Sequence, residues 1–116
     1  MKSIVCGLCK GRHELPVKEY IFDSFTDMPS CDELYDIAKA FVLSHAEKER
    51  VWLSDELYND YQVEAYTSEL VVYVTGYTPM LLAVVSVCSR LGMRLTAMHY
   101  NATGEYYAQK VLDAQH

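Results

Sequence analysis

Residues 70–100 restrict the possible folds more than any other stretch of the chain. Leu70–Val74 is an unbroken apolar, β-rich run, the pattern of a strand buried on both faces. Thr75-Gly76-Tyr77-Thr78 follows as a short loop. Thr78 has the chemistry of a helix N-cap, and Pro79 suits the first helical position, where a missing N–H costs nothing. Met80–Leu91 then reads as a helix that stops at Gly92, a residue free to take the left-handed turn that closes a helix. This helix is apolar nearly all round and is expected to be buried. Leu95–Tyr100 is the next strand. A helix inserted between two strands of one sheet sets them parallel, with a right-handed crossover.

The flanking segments extend this unit. Ile4–Leu8 and Glu19–Phe22 read as short strands, separated by the polar turn that begins Cys9-Lys10-Gly11-Arg12-His13-Glu14. Ser30-Cys31-Asp32-Glu33 has the capping-box pattern. Leu34, Ile37, Ala38, Phe41 and Val42 continue at helical spacing to about His45, so one face of this helix meets a core. Val51-Trp52-Leu53 reads as a short strand. Residues 54–66 stay ambiguous, since Leu57, Tyr58, Tyr61 and Ala65 suit a helix and Asn59-Asp60 opposes one. Asn101-Ala102-Thr103-Gly104 is a hairpin turn that returns the chain as a strand to Leu112. No linker or repeat divides the chain. The expectation is one α/β domain over residues 1–116, small and Rossmann-like, with an open, mainly parallel sheet, flanking helices and a C-terminal β-hairpin.

Charge and cysteine content narrow the function. The net charge of −6 is uneven: +2 over residues 1–20, −9 over 21–70 and +1 over 71–116. A duplex nucleic-acid binder needs a basic stripe, which is missing. No run approaches the roughly 18 apolar residues of a membrane span. The N-terminus has no long apolar segment of a signal peptide, so the four cysteines are expected to be reduced thiols in a cytoplasmic protein. Cys6, Cys9 and His13 make half a zinc site, but a second pair of ligands is missing, and no metal or other cofactor is expected. Cys6-Gly7-Leu8-Cys9 has redox spacing without a helix to lower a thiol pKa. Cys6 and Leu8 are read as apolar residues on one face of a strand, and His99 as a packed core histidine.

In open α/β sheets, ligands bind beyond the carboxyl ends of the strands. Thr75–Thr78 lies at such an end and leads into a helix N-terminus, where N–H groups and the dipole attract anions. Gly76 allows a close approach of backbone to ligand. Lys10-Gly11-Arg12-His13 follows the first strand. If that strand is central, this basic loop reaches the same edge. Lys10 and Arg12 would neutralise phosphates there, and His13 is the one nearby candidate for a general base. GxGxxG and GxxxxGK[ST] are both missing, which opposes a dinucleotide or P-loop site.

Val74-Thr75-Gly76-Tyr77-Thr78-Pro79-Met80, with the helix, strand and hairpin after it, resembles CRISPR-associated Rossmann-fold (CARF) domains. Tyr77 stands where that family's loop has a second Gly, and Pro79 where it has a Lys. The resemblance implies a homodimer that binds a cyclic oligoadenylate-like second messenger at its dimer interface. The setting implied is CRISPR-type defence signalling or phage counter-defence, by sequestration or by slow metal-independent cleavage as in ring nucleases. Thr75, Gly76, Tyr77 and Thr78 take the ligand-loop role, with Lys10, Gly11 and Arg12 beside them and His13 as the candidate catalytic residue. The alternative is an acidic protein-binding inhibitor module with no small-molecule ligand. A small zinc or redox protein is the third reading.

Overall fold

The computed structural model describes residues 2–11, 15–25, 27–54, 60–75, 77–101 and 103–113. Strand β1 (Ser3–Cys9), strand β2 (Tyr20–Phe22), helix α1 (Cys31–His45), strands β3 (Lys48–Ser54), β4 (Asp60–Tyr66) and β5 (Glu69–Tyr73), helix α2 (Thr78–Leu91), and strands β6 (Arg94–Tyr100) and β7 (Tyr106–Leu112) follow in chain order. Five strands form a sheet in the order β2-β1-β5-β6-β7, and β3 and β4 form a second sheet of two strands among the described residues. β1 is parallel to both β2 and β5, and β5 is parallel to β6. β7 returns antiparallel to β6. The architecture is mixed α/β, with a mostly parallel sheet, two helices and a C-terminal hairpin. No described helix is long and apolar enough to cross a membrane.

Alternation along the strands makes the sheet one-sided. Ile4, Cys6 and Leu8 of β1, Leu70 and Val72 of β5, and Leu95 and Ala97 of β6 are buried in one cluster with Leu34, Ala38 and Val42 of α1 and Met80, Val84 and Val87 of α2. Each large aliphatic side chain fully buried there contributes about 1.5–3 kcal/mol. The intervening residues face the other way. Val5, Val71, Tyr73 and Met98 share that second face by register, and Val5 is 47% exposed. The expectation that Leu70–Val74 is buried on both faces is therefore corrected. Both helices belong to the core of one face, and Val71 and Tyr73 are only half-buried.

Helix α1 begins as its sequence requires. Ser30 Oγ accepts a hydrogen bond from the Glu33 N–H at 3.2 Å. Helix α2 ends on Gly92 at φ 69°, with the Met93 N–H donating to the Cys88 carbonyl at 2.9 Å. Its start differs from expectation. Tyr77, not Thr78, is the N-cap, and no side chain caps the turn. Nor is α2 buried all round: Leu82 is 60% exposed, because a two-layer arrangement covers only one side of the helix.

Residues 60–66, left ambiguous by their spacing, are a strand. Pairing with β3 selects the two-residue period, with Val51 opposite Val63 and Leu53 opposite Tyr61. His99 is also placed differently. It is half-buried rather than in the core, stacked on Tyr107 with ring centroids 5.3 Å apart, and hydrogen-bonded to Gln109 at 2.8 Å.

Gly7 of β1 is closely packed on its Cα. A Cβ there would meet Tyr20 Cδ1 at 2.5 Å and Leu15 Cδ1 at 3.1 Å, whereas one at Gly11 would meet nothing within 4 Å. Gly7→Ala is expected to cost about 1–3 kcal/mol in urea unfolding, the usual cost of overpacking, while Gly11→Ala leaves the midpoint nearly unchanged.

Candidate functional site

Parallel pairing from Ser3↔Glu69 to Gly7↔Tyr73 brings the carboxyl ends of β1 and β5 side by side. The chain segments that leave these ends, near residues 10 and 75, are therefore neighbours despite their separation in sequence. A pocket of about 260 Å³ opens there, lined by Cys9, Lys10, Gly11, Ser24, Phe25, Thr75 and Tyr77. It lies at the edge where an open α/β sheet offers a ligand site.

Hydrogen bonds hold the pocket walls. Thr75 Oγ1 donates to the Cys9 carbonyl at 2.9 Å and ties the loop after β5 to the end of β1. Ser24 Oγ donates to the Lys10 carbonyl at 2.7 Å, and the Lys10 N–H donates to the Phe22 carbonyl at 3.1 Å. The last contact extends the β1–β2 ladder and fixes the Lys10 backbone at the rim. Val74 N–H donates to the Met98 carbonyl at 2.9 Å, which aligns the loop after β5 with β6.

The electrostatics have two signs. Tyr77 caps α2 without a side-chain bond, and the first turn carries no acidic residue. The positive end of the helix dipole is therefore not offset by a carboxylate of that turn. Lys10 adds a cation at the rim. Against these, the Asp23 carboxylate is near enough to help burial push the Cys9 thiol above its ordinary pKa of 9.0. An anion in the pocket gains from Lys10 and the helix end and loses part of that gain to Asp23.

Of the expected site residues, Lys10, Gly11, Thr75 and Tyr77 meet in this pocket. Thr78 is the exposed first residue of α2 and is not among the lining residues. Arg12, His13 and Gly76 lie outside the described residues. Cys9, Ser24 and Phe25 complete the lining, and sequence reasoning missed them. Ser24 and Phe25 follow β2, whose parallel place beside β1 has no local signature. Cys9 was read as the start of the turn, but it is the last residue of β1.

The cysteines are free thiols, with Cys6, Cys9 and Cys88 buried and Cys31 exposed. Cys6 and Cys9 are three positions apart on β1, an odd spacing that does not aim them in one direction, and burial, with Cys88 and Glu19 adding to it, pushes the Cys6 thiol up to about 12. Among the described residues, no group of three His, Cys, Asp or Glu is placed to hold a metal ion. No family model, no curated protein and no solved structure matches this chain.

The thiols generate a prediction. Burial raises Cys6 and Cys88 to about 12 from 9.0, so the folded state keeps these protons longer than the unfolded chain does. Folding stability is expected to fall as pH rises from about 9 toward 12 and to be insensitive to these two groups below that window. A thiol reagent at neutral pH should modify Cys31 rapidly, with Cys6 and Cys88 reacting only after denaturant is added.

Proposed function

We propose that the chain binds a small phosphorylated ligand, a cyclic oligonucleotide second messenger, in the pocket between the loops after β1 and β5. The observation that carries this reading is the meeting of Lys10 and Gly11 with Thr75 and Tyr77 at the carboxyl edge of the parallel sheet, beside the N-terminus of α2. Backbone N–H groups, a hydroxyl, a cation and a tyrosine ring match the phosphate, ribose and base of a nucleotide. A pocket of about 260 Å³ suits one nucleotide unit better than a whole ring, so a cyclic ligand is read as shared between two copies of the chain.

In this reading the fold is a reduced Rossmann-like domain of CARF type and the protein is a homodimer. Its role is defence signalling or its phage-encoded suppression. Lys10 and Arg12 neutralise the phosphates, and Thr75 and Tyr77 form the floor. Cleavage, where the ligand is turned over, needs no metal: the ring's own ribose 2′-hydroxyl attacks the adjacent phosphate as His13 accepts its proton, the P–O5′ bond breaks, and the departing 5′-oxygen takes a proton from water, which leaves a 2′,3′-cyclic phosphate and a 5′-hydroxyl.

A second reading, an acidic protein-binding inhibitor, draws on a different surface. Asp23, Asp27, Asp32, Glu33 and Asp36 are all exposed between β2 and the middle of α1, with no basic residue in the sequence between them.

Calorimetry with cyclic di-, tri-, tetra- and hexanucleotides separates the two. Wild type is expected to bind at least one ring. Lys10→Ala should weaken it about 10- to 100-fold, the loss of one charge-assisted contact of roughly 1.5–3 kcal/mol. Asp32→Asn with Asp36→Asn should leave ring binding unchanged. Binding of no ring by wild type removes the ligand reading. His13→Ala should abolish any ring cleavage followed by mass spectrometry while retaining most of the affinity.

A further inference from the structure

The walls of the pocket between β1 and β5 have already committed their hydroxyl hydrogens. A hydroxyl has one hydrogen and two lone pairs, and a backbone carbonyl can only accept. Ser24 Oγ donates its hydrogen to the Lys10 carbonyl at 2.7 Å, and Thr75 Oγ1 donates its own to the Cys9 carbonyl at 2.9 Å. The Cys9 thiol is placed the same way, with Sγ 3.6 Å from the carbonyls of Lys10 and Asp23. Both hydroxyls therefore meet a ligand with lone pairs alone. Among the described lining side chains, the Lys10 ammonium and the Tyr77 hydroxyl remain as donors.

This division sorts the parts of a nucleotide. Phosphate oxygens only accept, so a phosphate gains from Lys10 and the start of α2 and finds no donor in Ser24 or Thr75. Asp23, the residue before Ser24, adds negative charge close to Cys9. A group that donates fits this wall instead. A ribose hydroxyl both donates and accepts, whereas the exocyclic amino group of a base has two hydrogens and no available lone pair. Aromatic residues line the same pocket. Phe25 is set edge to face against the fully buried Phe22, with ring centroids 6.5 Å apart, and Tyr77 is 60% exposed. Such rings suit the face of a base, and the hydroxyl lone pairs suit a donor on its edge.

The geometry points to Ser24 and Thr75 as specificity-determining residues that read the exocyclic amino group of adenine or cytosine, while Lys10 holds the phosphate. The inference rests on the ligand reading above and deepens it, because it selects among rings by their base. Charge and pocket size do not make that selection. A base without the amino group leaves the two acceptors unpaired, and a keto oxygen in its place sets lone pairs against lone pairs.

Calorimetry with the full chain tests it on matched pairs of rings. Cyclic adenosine rings of two, three, four and six units are compared with the same rings built from purine riboside, in which hydrogen replaces the amino group. Cytidine rings are paired with rings of 2-pyrimidinone riboside in the same way. Wild type is expected to bind the amino-bearing member of a pair about tenfold more tightly, the usual effect of leaving a neutral partner unpaired. Ser24→Ala combined with Thr75→Val should bring that ratio close to one. Lys10→Ala should weaken both members alike and keep the ratio, because an ammonium on a phosphate is blind to the base. Hydroxyls that only brace the loops would also weaken both members alike, so the ratio separates recognition from bracing. Circular dichroism checks folding. Ser24→Ala alone, at an exposed position, replaces a double variant that does not fold and should lower the ratio. Thr75→Ser keeps the hydroxyl and should keep the ratio. Equal affinity within each pair, a ratio that loss of the hydroxyls leaves unchanged, or binding confined to uridine rings overturns the inference while the ligand reading stands. Binding of no ring by wild type removes both.

Discussion

The arrangement at the carboxyl edge depends on the parallel pairing of β1 with β5. These strands are separated by some 60 residues of chain, and their five-residue register is maintained by burial of alternate side chains. Ile4, Cys6 and Leu8 from one and Leu70 and Val72 from the other enter the same core. A slip of one residue would turn every one of these toward solvent. The same register carries Cys9 to within hydrogen-bonding distance of Thr75 and places Lys10 on the rim of a pocket with Tyr77. The core and the candidate site are thus two ends of one pairing.

Putting both helices on one face has a consequence elsewhere. The helices cover Leu70, Val72, Leu95 and Ala97 but leave Val5 and its register partners without a layer of their own. The segment between β1 and β2, together with the first residue of β2, supplies partial cover, with Leu15 and Tyr20 lying against Gly7. Aromatic contact does the same at the other side, where Tyr73 and Tyr106 meet edge to face at 5.0 Å and Tyr100 lies 5.1 Å from Tyr106. The abundance of tyrosine has a local explanation here: a ring with a polar tip suits a surface that is half wet. A radius of gyration of 15.8 Å exceeds the roughly 13 Å usual for a chain this long, in keeping with a β3–β4 sheet that is separate from the main one.

Much of the fold was legible because local signals and tertiary packing agreed. Helix α1 was readable from Ser30 and the spacing of Leu34, Ala38 and Val42, and α2 from Pro79 and Gly92. Legibility failed where a segment has no core to answer to. Residues 60–66 satisfied a helical spacing nearly as well as an alternating one, and only the partner strand β3 decides between them. The site was partly legible for a related reason. Thr75 and Tyr77 follow a strand and precede a helix, a local arrangement with a known physical use. Ser24 and Phe25 have no such signature, because they reach the pocket only through the pairing of β2 with β1.

The sequence by itself determined where α1 begins, where α2 ends and which strands flank α2. Those features rest on caps, proline, glycine and side-chain period, all of which act within a few residues. It also determined that the chain has an acidic middle and no basic stripe. Only the tertiary structure decided that β1 lies between β2 and β5, that both described helices pack on one face of the sheet, and that β3 and β4 pair with each other in a sheet of their own. Each of these is a choice among long-range pairings. Such pairings depend on which apolar faces meet in three dimensions, and no window of neighbouring residues contains that information.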